Sequence, residues 1–299
     1  MHSHPEEPRR GTLSRFAHRL ESCRTSTAAG GFVALGAAVL LWCWAQPTNR
    51  RRWRRGQHRL ATNEISGNKV TIRNLRCFRW NLDGPPNERY LDRSYDLERL
   101  HRLDFIVTRF GMKGLAAHTM LSFGFEDGEQ LVLSIEIRRR EGQHFSILQG
   151  LFRSFELQYI FGEERDLVHL RTNIQNDATY LYPVKVDPES VRRLLLSVLE
   201  RANAVAENPE FYNSLKNACT TNLIRHFNAV GLCKASERGP RTVVSGLSDG
   251  LLHDLGLIGE GTKLRALRKI HRINERARAC GDDSEFSRRI RENSPSDAP

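Results

Sequence analysis

Two runs of alternating apolar residues flank Glu126-Asp127-Gly128 in HTMLSFGFEDGEQLVLSIEIRR, residues 118–139. This segment constrains the fold more than any other, because a one-residue slip in a hairpin moves every side chain to the opposite face. A two-residue turn on Asp127-Gly128 sets Leu121 against Ser134 and Phe123 against Val132. A three-residue loop closed by Gly128 in the left-handed region gives the other register. Leu121, Phe123 and Phe125 then share a face with Leu131, Leu133, Ile135 and Ile137. His118, Met120, Ser122 and Gly124 occupy the opposite face with Glu136, Ser134, Val132 and Gln130. Only the second register gathers the apolar residues, so the sequence predicts the three-residue loop.

That register sets His118 directly opposite Glu136, on the face not committed to the aliphatic core. Cross-strand neighbours lie about 4.5–5.5 Å apart at Cβ. A carboxylate at that distance accepts a hydrogen bond from one imidazole nitrogen and leaves the other as a base. The bland alternative is a surface His–Glu pair that contributes little.

Cys219, in KNACTTNLIRHF, is the matching nucleophile. With Asn217 as the cap, Cys219 falls in the first turn of a helix, where free N–H groups and the helix dipole favour a thiolate. The same N–H groups would form part of an oxyanion hole. The alternative is a buried structural cysteine. Cys233, beyond Gly231, reads as structural. His169 reads as a half-buried strand residue, His144 as a loop residue, and His226 lies two turns along from Cys219. Glu163, Glu164 and Asp166 form an acidic group without metal-ligand spacing, and no glycine pattern fits a phosphate loop. The sequence therefore predicts no cofactor and no metal. The six cysteines show no CxxC spacing and no zinc ligand set.

Strands are expected at residues 69–75, 103–110, 117–125, 130–138, 155–161, 166–172 and 179–186, each short and bounded by turn residues. A helix opens at Asp187-Pro188, a cap followed by proline, and runs to Glu207. Val191, Leu194, Leu195, Val198, Leu199 and Ala202 give it one apolar stripe. Further helices are expected from Asn217, over 249–257 and over 263–279. Strands first and helices after make an α+β chain with an antiparallel sheet.

The front of the chain differs in texture. Residues 28–45, AAGGFVALGAAVLLWCWA, carry no charge, and at 1.5 Å per residue they reach roughly 27 Å, enough for a bilayer core. Trp42 and Trp44 sit at one end, as interfacial indoles do. A buried core helix and a cleaved signal peptide are the alternatives, and the long Arg-rich lead favours an uncleaved transmembrane helix. The net charge of +11 gathers between Arg50 and Arg59 and in the last forty residues. Next to an apolar span, the first cluster suits anionic lipid head groups. A nucleic-acid binder is disfavoured, because the charge clusters lie outside the strand-rich core of the sequence. Five arginines precede the span and six follow it within fifteen residues. Charge alone therefore leans slightly toward a cytoplasmic body. The expected organisation is a flexible N-terminus over 1–27, the span over 28–45 and a basic linker over 46–64. A catalytic α+β domain over 65–231, its helical extension over 232–280 and a polar tail over 281–299 complete it.

RNLRCFRW, RSYDLERL, AHTMLSFGFEDG, LSIEIRR, FELQYIFGEERD, VHLRTN, NACTTNLIRHF and KIHRINERARACGDDSEFSRRIRE together resemble the Lnb N-terminal periplasmic domain family. More distantly, the order strand-His, strand-polar, helix-Cys resembles circularly permuted NlpC-type, papain-like cysteine enzymes, the clan of lecithin retinol acyltransferase-like proteins. The resemblance covers roughly residues 64–295. It implies Cys219 and His118 as catalytic residues with Glu136 as the strand carboxylate. It also implies a body in the periplasm, single-pass on the bacterial inner membrane with residues 1–27 in the cytoplasm. The implied activity is transfer of a fatty acyl chain from phospholipid through the thiol to a lipoprotein amine. The competing expectations are a cysteine amidase or peptidase acting on cell-wall peptide, and a non-catalytic membrane-anchored binding module.

Overall fold

A computed structural model describes residues 46–111, 114–146 and 149–292, together with Gly36 and Val39. The expected N-terminus over 1–27 and, but for those two residues, the expected span over 28–45 lie outside the described residues. Among the described residues no helix is long and apolar enough to cross a membrane.

From Pro47 onward the chain is α+β, a mixed and mostly antiparallel sheet followed by helices. The strands are β1 (Thr62–Ser66), β2 (Lys69–Arg76), β3 (Tyr90–Asp96), β4 (Leu100–Phe110), β5 (Ala116–Phe125), β6 (Gln130–Arg138), β7 (Glu156–Gly162) and β8 (Ala178–Pro183). They lie in the order β1-β2-β7-β6-β5-β4-β8, with β3 also on β2. The β2–β7 contact, Arg76 opposite Gly162, is parallel, and the other ladders are antiparallel.

The β5–β6 hairpin has the register that apolar pairing demands. Leu121 faces Leu133 and Phe123 faces Leu131. Gly128 closes the turn at φ 84°, and its N–H donates to the carbonyl of Phe125 at 2.9 Å. The odd-numbered face packs on the stripe of helix α2 (Pro188–Glu207), whose residues Val191, Leu194, Leu195, Val198 and Leu199 are fully buried. Asp187 caps α2 by accepting the Ser190 N–H at 2.9 Å. Leu223, Ile224 and Phe227 of α3 (Cys219–Ala229) complete this core.

The opposite face, expected to stay out of the aliphatic core, carries a second and smaller one. Met120, Val132, Ile106 and Leu181 pack there against Leu167 and Val168, and against Ile273, Ala277, Phe286 and Ile290 from the end of the chain. Residues 281–292, within the expected polar tail, thus cover the sheet, while residues 293–299 lie outside the described residues. Arg291 bonds Asp104 of β4 at 2.8 Å and Glu164 at 2.7 Å, so its burial leaves no bare charge.

Two expected elements are overturned, and two strands appear that the sequence did not predict. Residues 166–172 form not a strand but helix α1 (Glu164–His169) and a wide helical turn over Leu170–Ile174. Tertiary contacts decide it: Asp166 takes both arms of Arg76 at 2.8 and 2.9 Å and the Trp80 indole N–H at 2.8 Å. The expected helix over 263–279 breaks into α6 (Leu264–Ile270) and α7 (Asn274–Cys280), after α4 (Pro240–Val243) and α5 (Ser248–Asp254) and before α8 (Phe286–Arg289). The break feeds the free edge of β8. Leu181 N–H donates to His271 C=O, and Ile273 N–H to Thr179 C=O, each at 3.0 Å. Strands β1 and β3 were not expected, since TNEIS and YLDRSYD lack apolar alternation. They flank β2 on either side through register rather than hydrophobic pattern.

Candidate active site

The site forms where two strands part. The β5–β6 ladder runs only from Gly124 opposite Gln130 to Met120 opposite Ser134. Beyond it β5 stays with β4 as far as Ala116, while β6 stays with β7 as far as Arg138. A cleft of about 540 Å³ opens between them, with Ala117 and His118 on one side and Ile135, Glu136 and Ile137 on the other. Phe110, Phe145 and Tyr212 extend its apolar wall, and Cys219 lies at its floor.

His118 and Glu136 still face each other, Nε2 to Oε1 at 3.6 Å, but the expected direct hydrogen bond is replaced by a bridge. Ser134 Oγ lies 2.7 Å from His118 Nε2 and donates to Glu136 Oε1 at 2.8 Å. A hydroxyl has one proton. With that proton donated to Glu136, Ser134 accepts from Nε2–H, which fixes the tautomer and leaves Nδ1 with the lone pair. Glu136 also binds Arg171 Nη2 at 3.3 Å. Burial raises the Glu136 pKa, but the charges of Arg171, His118 and Arg76 and the Ser134 hydrogen bond overcome it and hold the carboxyl at about 2.

Cys219 is 6% exposed and His118 8%. Burial opposes ionisation of the thiol, yet hydrogen bonding to His118, the imidazole charge and hydrogen bonds from the Thr119 side chain and backbone bring it down to about 6. Thr119 is held in turn by Thr220, Oγ1 to Oγ1 at 3.2 Å. The cap is not Asn217. Ala218 holds that position in extended conformation, with no side-chain hydrogen bond. The Asn217 amide turns instead to Glu210 and the Phe211 carbonyl, and its oxygen accepts from Asn222. The first turn of α3 therefore has no capping side chain, and it begins at Cys219, which lines the cleft. The Tyr212 phenol borders the same space, and burial and the charge of Cys219 both raise its pKa.

The family model described as "Lnb N-terminal periplasmic domain" matches residues 87–244, a little over half the chain. The chain belongs to the Lnb N-terminal periplasmic domain family. No curated protein and no solved structure matches it. The matched segment of this Lnb_N-type domain contains His118, Glu136 and Cys219, and with them Thr119, Ser134, Arg171 and Tyr212. The family name describes a periplasmic domain.

Among the residues that hold or border the Cys219–His118–Glu136 group of this Lnb_N-type site, sequence reasoning missed Ser134, Thr119, Tyr212 and Arg171. Ser134 had a signal, two positions from Glu136 on the same face. Thr119 had none, because its contact arises only where the ladder opens. Tyr212 gave no pattern, and Arg171 was hidden by the mistaken strand. The remaining candidates lie elsewhere. His226 is buried between Ser197 at 2.8 Å and the Tyr159 hydroxyl at 3.1 Å. Burial, then the charges of Arg201 and Arg225, lower its pKa to about 4 and keep it neutral. His169 stacks edge-on against Phe286. Glu163 pairs with Arg79 and Arg93, and Cys233 bonds Asn228. Cys77, Cys219, Cys233 and Cys280 are free thiols. Among the described residues no His/Cys/Asp/Glu group has the arrangement of a metal site.

Proposed function

We propose that this protein is a membrane-anchored, periplasmic cysteine acyltransferase of permuted NlpC-type, papain-like design, in which Cys219 carries the acyl group as a thioester. The observation that carries the reading is Cys219 and His118 lining one cleft, with the imidazole Nε2 fixed by Ser134 and Glu136 and the thiol pKa brought down by its hydrogen bond to that imidazole. A buried cysteine without such partners would move the other way.

In the proposed reaction the Cys219 thiolate attacks an acyl ester carbonyl and forms the S–C bond. The first-turn amides of α3 and the Tyr212 hydroxyl receive the developing oxyanion. The C–O bond then breaks, and the imidazolium of His118 gives its proton to the leaving alkoxide. An amine attacks the resulting thioester, His118 takes the amine proton, and the amide leaves as the thiolate is restored. Glu136 remains ionised and stabilises the imidazolium through Ser134. The apolar wall of Phe110, Ile135, Ile137 and Phe145 favours an acyl chain over a peptide in the cleft. Phospholipid as donor, lipoprotein amine as acceptor, the anchor at 28–45 and anionic head groups near Arg50–Arg59 complete the proposal.

The test is intact mass after incubation with phospholipid vesicles. A fatty-acyl adduct on the wild-type chain, absent in Cys219→Ala and removed by neutral hydroxylamine, is expected. No adduct, with release of a fragment from cell-wall peptide, would replace the transferase with the hydrolase. Function unchanged in Cys219→Ser would favour the binding module.

A further inference from the structure

Two arginines border the cleft, and only one is committed. Arg171 holds Glu136 at 3.3 Å and Gln175 Oε1 at 2.9 Å. Arg139, immediately after β6, is fixed by its backbone: its N–H donates to Gln57 Oε1 and its C=O accepts from the Arg54 N–H, both at 2.9 Å. Its guanidinium makes no hydrogen bond or ion pair with any described residue, and Nε is buried without an acceptor. The neighbouring Arg138 shows that this end of the sheet can satisfy a guanidinium, through Gln57 C=O, Asn49 Oδ1 and His58 C=O. Arg139 has no such set. Burial first, then the like charges of Arg54 and Arg171, work against its cation, and Glu136 works for it. That carboxylate is already engaged by Ser134 and Arg171.

A half-buried guanidinium with open donors is costly unless an anion meets it. Its planar fork matches two oxygens of a phosphate or carboxylate. The rest of the cleft selects between them. Phe110, Ile135 and Ile137 line it, and Phe145, 51% exposed, continues the apolar surface to the rim. An apolar slot with one uncommitted cation fits an amphiphile, with a chain for the wall and an anion for the fork.

We infer that Arg139 binds the phosphodiester of an acyl-bearing amphiphile in this cleft and so sets the acyl ester against Cys219. The inference rests on the acyl-transfer reading for its reaction, but binding can be tested without it. Arg139 is a specificity residue here, since it touches the donor away from the bond that breaks.

The experiment titrates the full chain carrying Cys219→Ala with dihexanoyl phosphatidylglycerol below its micelle concentration, and with dihexanoylglycerol as the neutral probe. Arg139→Gln should weaken the phosphodiester probe by about tenfold or more, the scale of a lost charge-assisted pair. The neutral probe should bind as before, which also reports an intact fold. Arg139→Lys, which keeps the charge and loses the fork, should fall between. Equal affinity for the phosphodiester probe with and without Arg139 would overturn the inference. So would displacement of the amphiphile by inorganic phosphate at similar concentration, which would mark a free-phosphate site. Tighter Arg139-dependent binding of an acidic cell-wall peptide would overturn it in favour of a peptide carboxylate. The two readings fail separately. Arg139-dependent binding without an adduct on wild-type Cys219 would sink acyl transfer and leave the anion site standing. An adduct formed equally well by Arg139→Gln from phosphorylated and neutral donors would do the reverse.

Discussion

A serine hydroxyl has one proton, and Ser134 gives it to Glu136, so the serine decides which nitrogen of His118 stays basic. Ser134→Ala should leave the fold intact and slow acyl-adduct formation by about fivefold, the effect of one lost orienting hydrogen bond near 1 kcal/mol. Conversion of the chain to its acylated mass over time measures this. Glu136 makes a second prediction, in the acid range. Its folded pKa lies below the ordinary carboxyl value of 4.5, so its stabilisation is complete above 4.5 and is lost as pH falls toward about 2. In Glu136→Gln, urea-unfolding stability should therefore fall less steeply with acid across that window than in wild type. Identical acid limbs would mean that the buried carboxylate is not ionised in the folded protein. His118 and Glu136 were legible in the sequence because a hairpin's period of two leaves little freedom. Ser134 and Thr119 act through a side-chain rotation and a local opening of the ladder, and neither leaves a pattern in a linear string.

At the scale of elements, legibility follows from how much of an element's stability is local. Helix α2 begins and ends where the Asp187-Pro188 cap and the apolar stripe predict, because both signals sit within its own residues. Asp187→Ala should destabilise the chain by the loss of this cap, read as a shift of the urea midpoint to lower concentration. The hairpin turn is equally local: Gly128, at φ 84°, sits where a Cβ is disfavoured. By contrast, residues 166–172 carry a strand-like pattern yet form helical turns, because their shape depends on Arg76 and Trp80, some ninety residues earlier in the chain. The break at His271–Ile273 depends on the edge of β8 in the same way. Edge strands β1 and β3 carry polar residues on exposed faces, so the alternation that reveals a central strand is missing from them.

At the scale of the molecule, the sheet has two covered faces, and the cleft opens at one end of the β5–β6 seam. The second cover comes from α1 and from residues 273–290, the latter beyond the segment matched by the family model. Arg291 ties that cover down by joining Asp104 of β4 to Glu164 of α1. Arg291→Ala leaves two buried carboxylates with less compensation and should destabilise the chain by about 3–5 kcal/mol, seen as a lower melting temperature. A loss below 1 kcal/mol would mean that the chain end is only loosely applied.

The fold makes Cys219 a thiolate near neutral pH with His118 as its partner. The rate of Cys219 alkylation by iodoacetamide against pH, followed by mass of the Cys219 peptide, tests it most directly. The rate should reach half its maximum near pH 6 in wild type, and that midpoint should move to the ordinary thiol range, near 9, or above in His118→Ala. A wild-type midpoint at or above 9, or one that His118→Ala leaves unmoved, would mean that His118 does not activate this thiol.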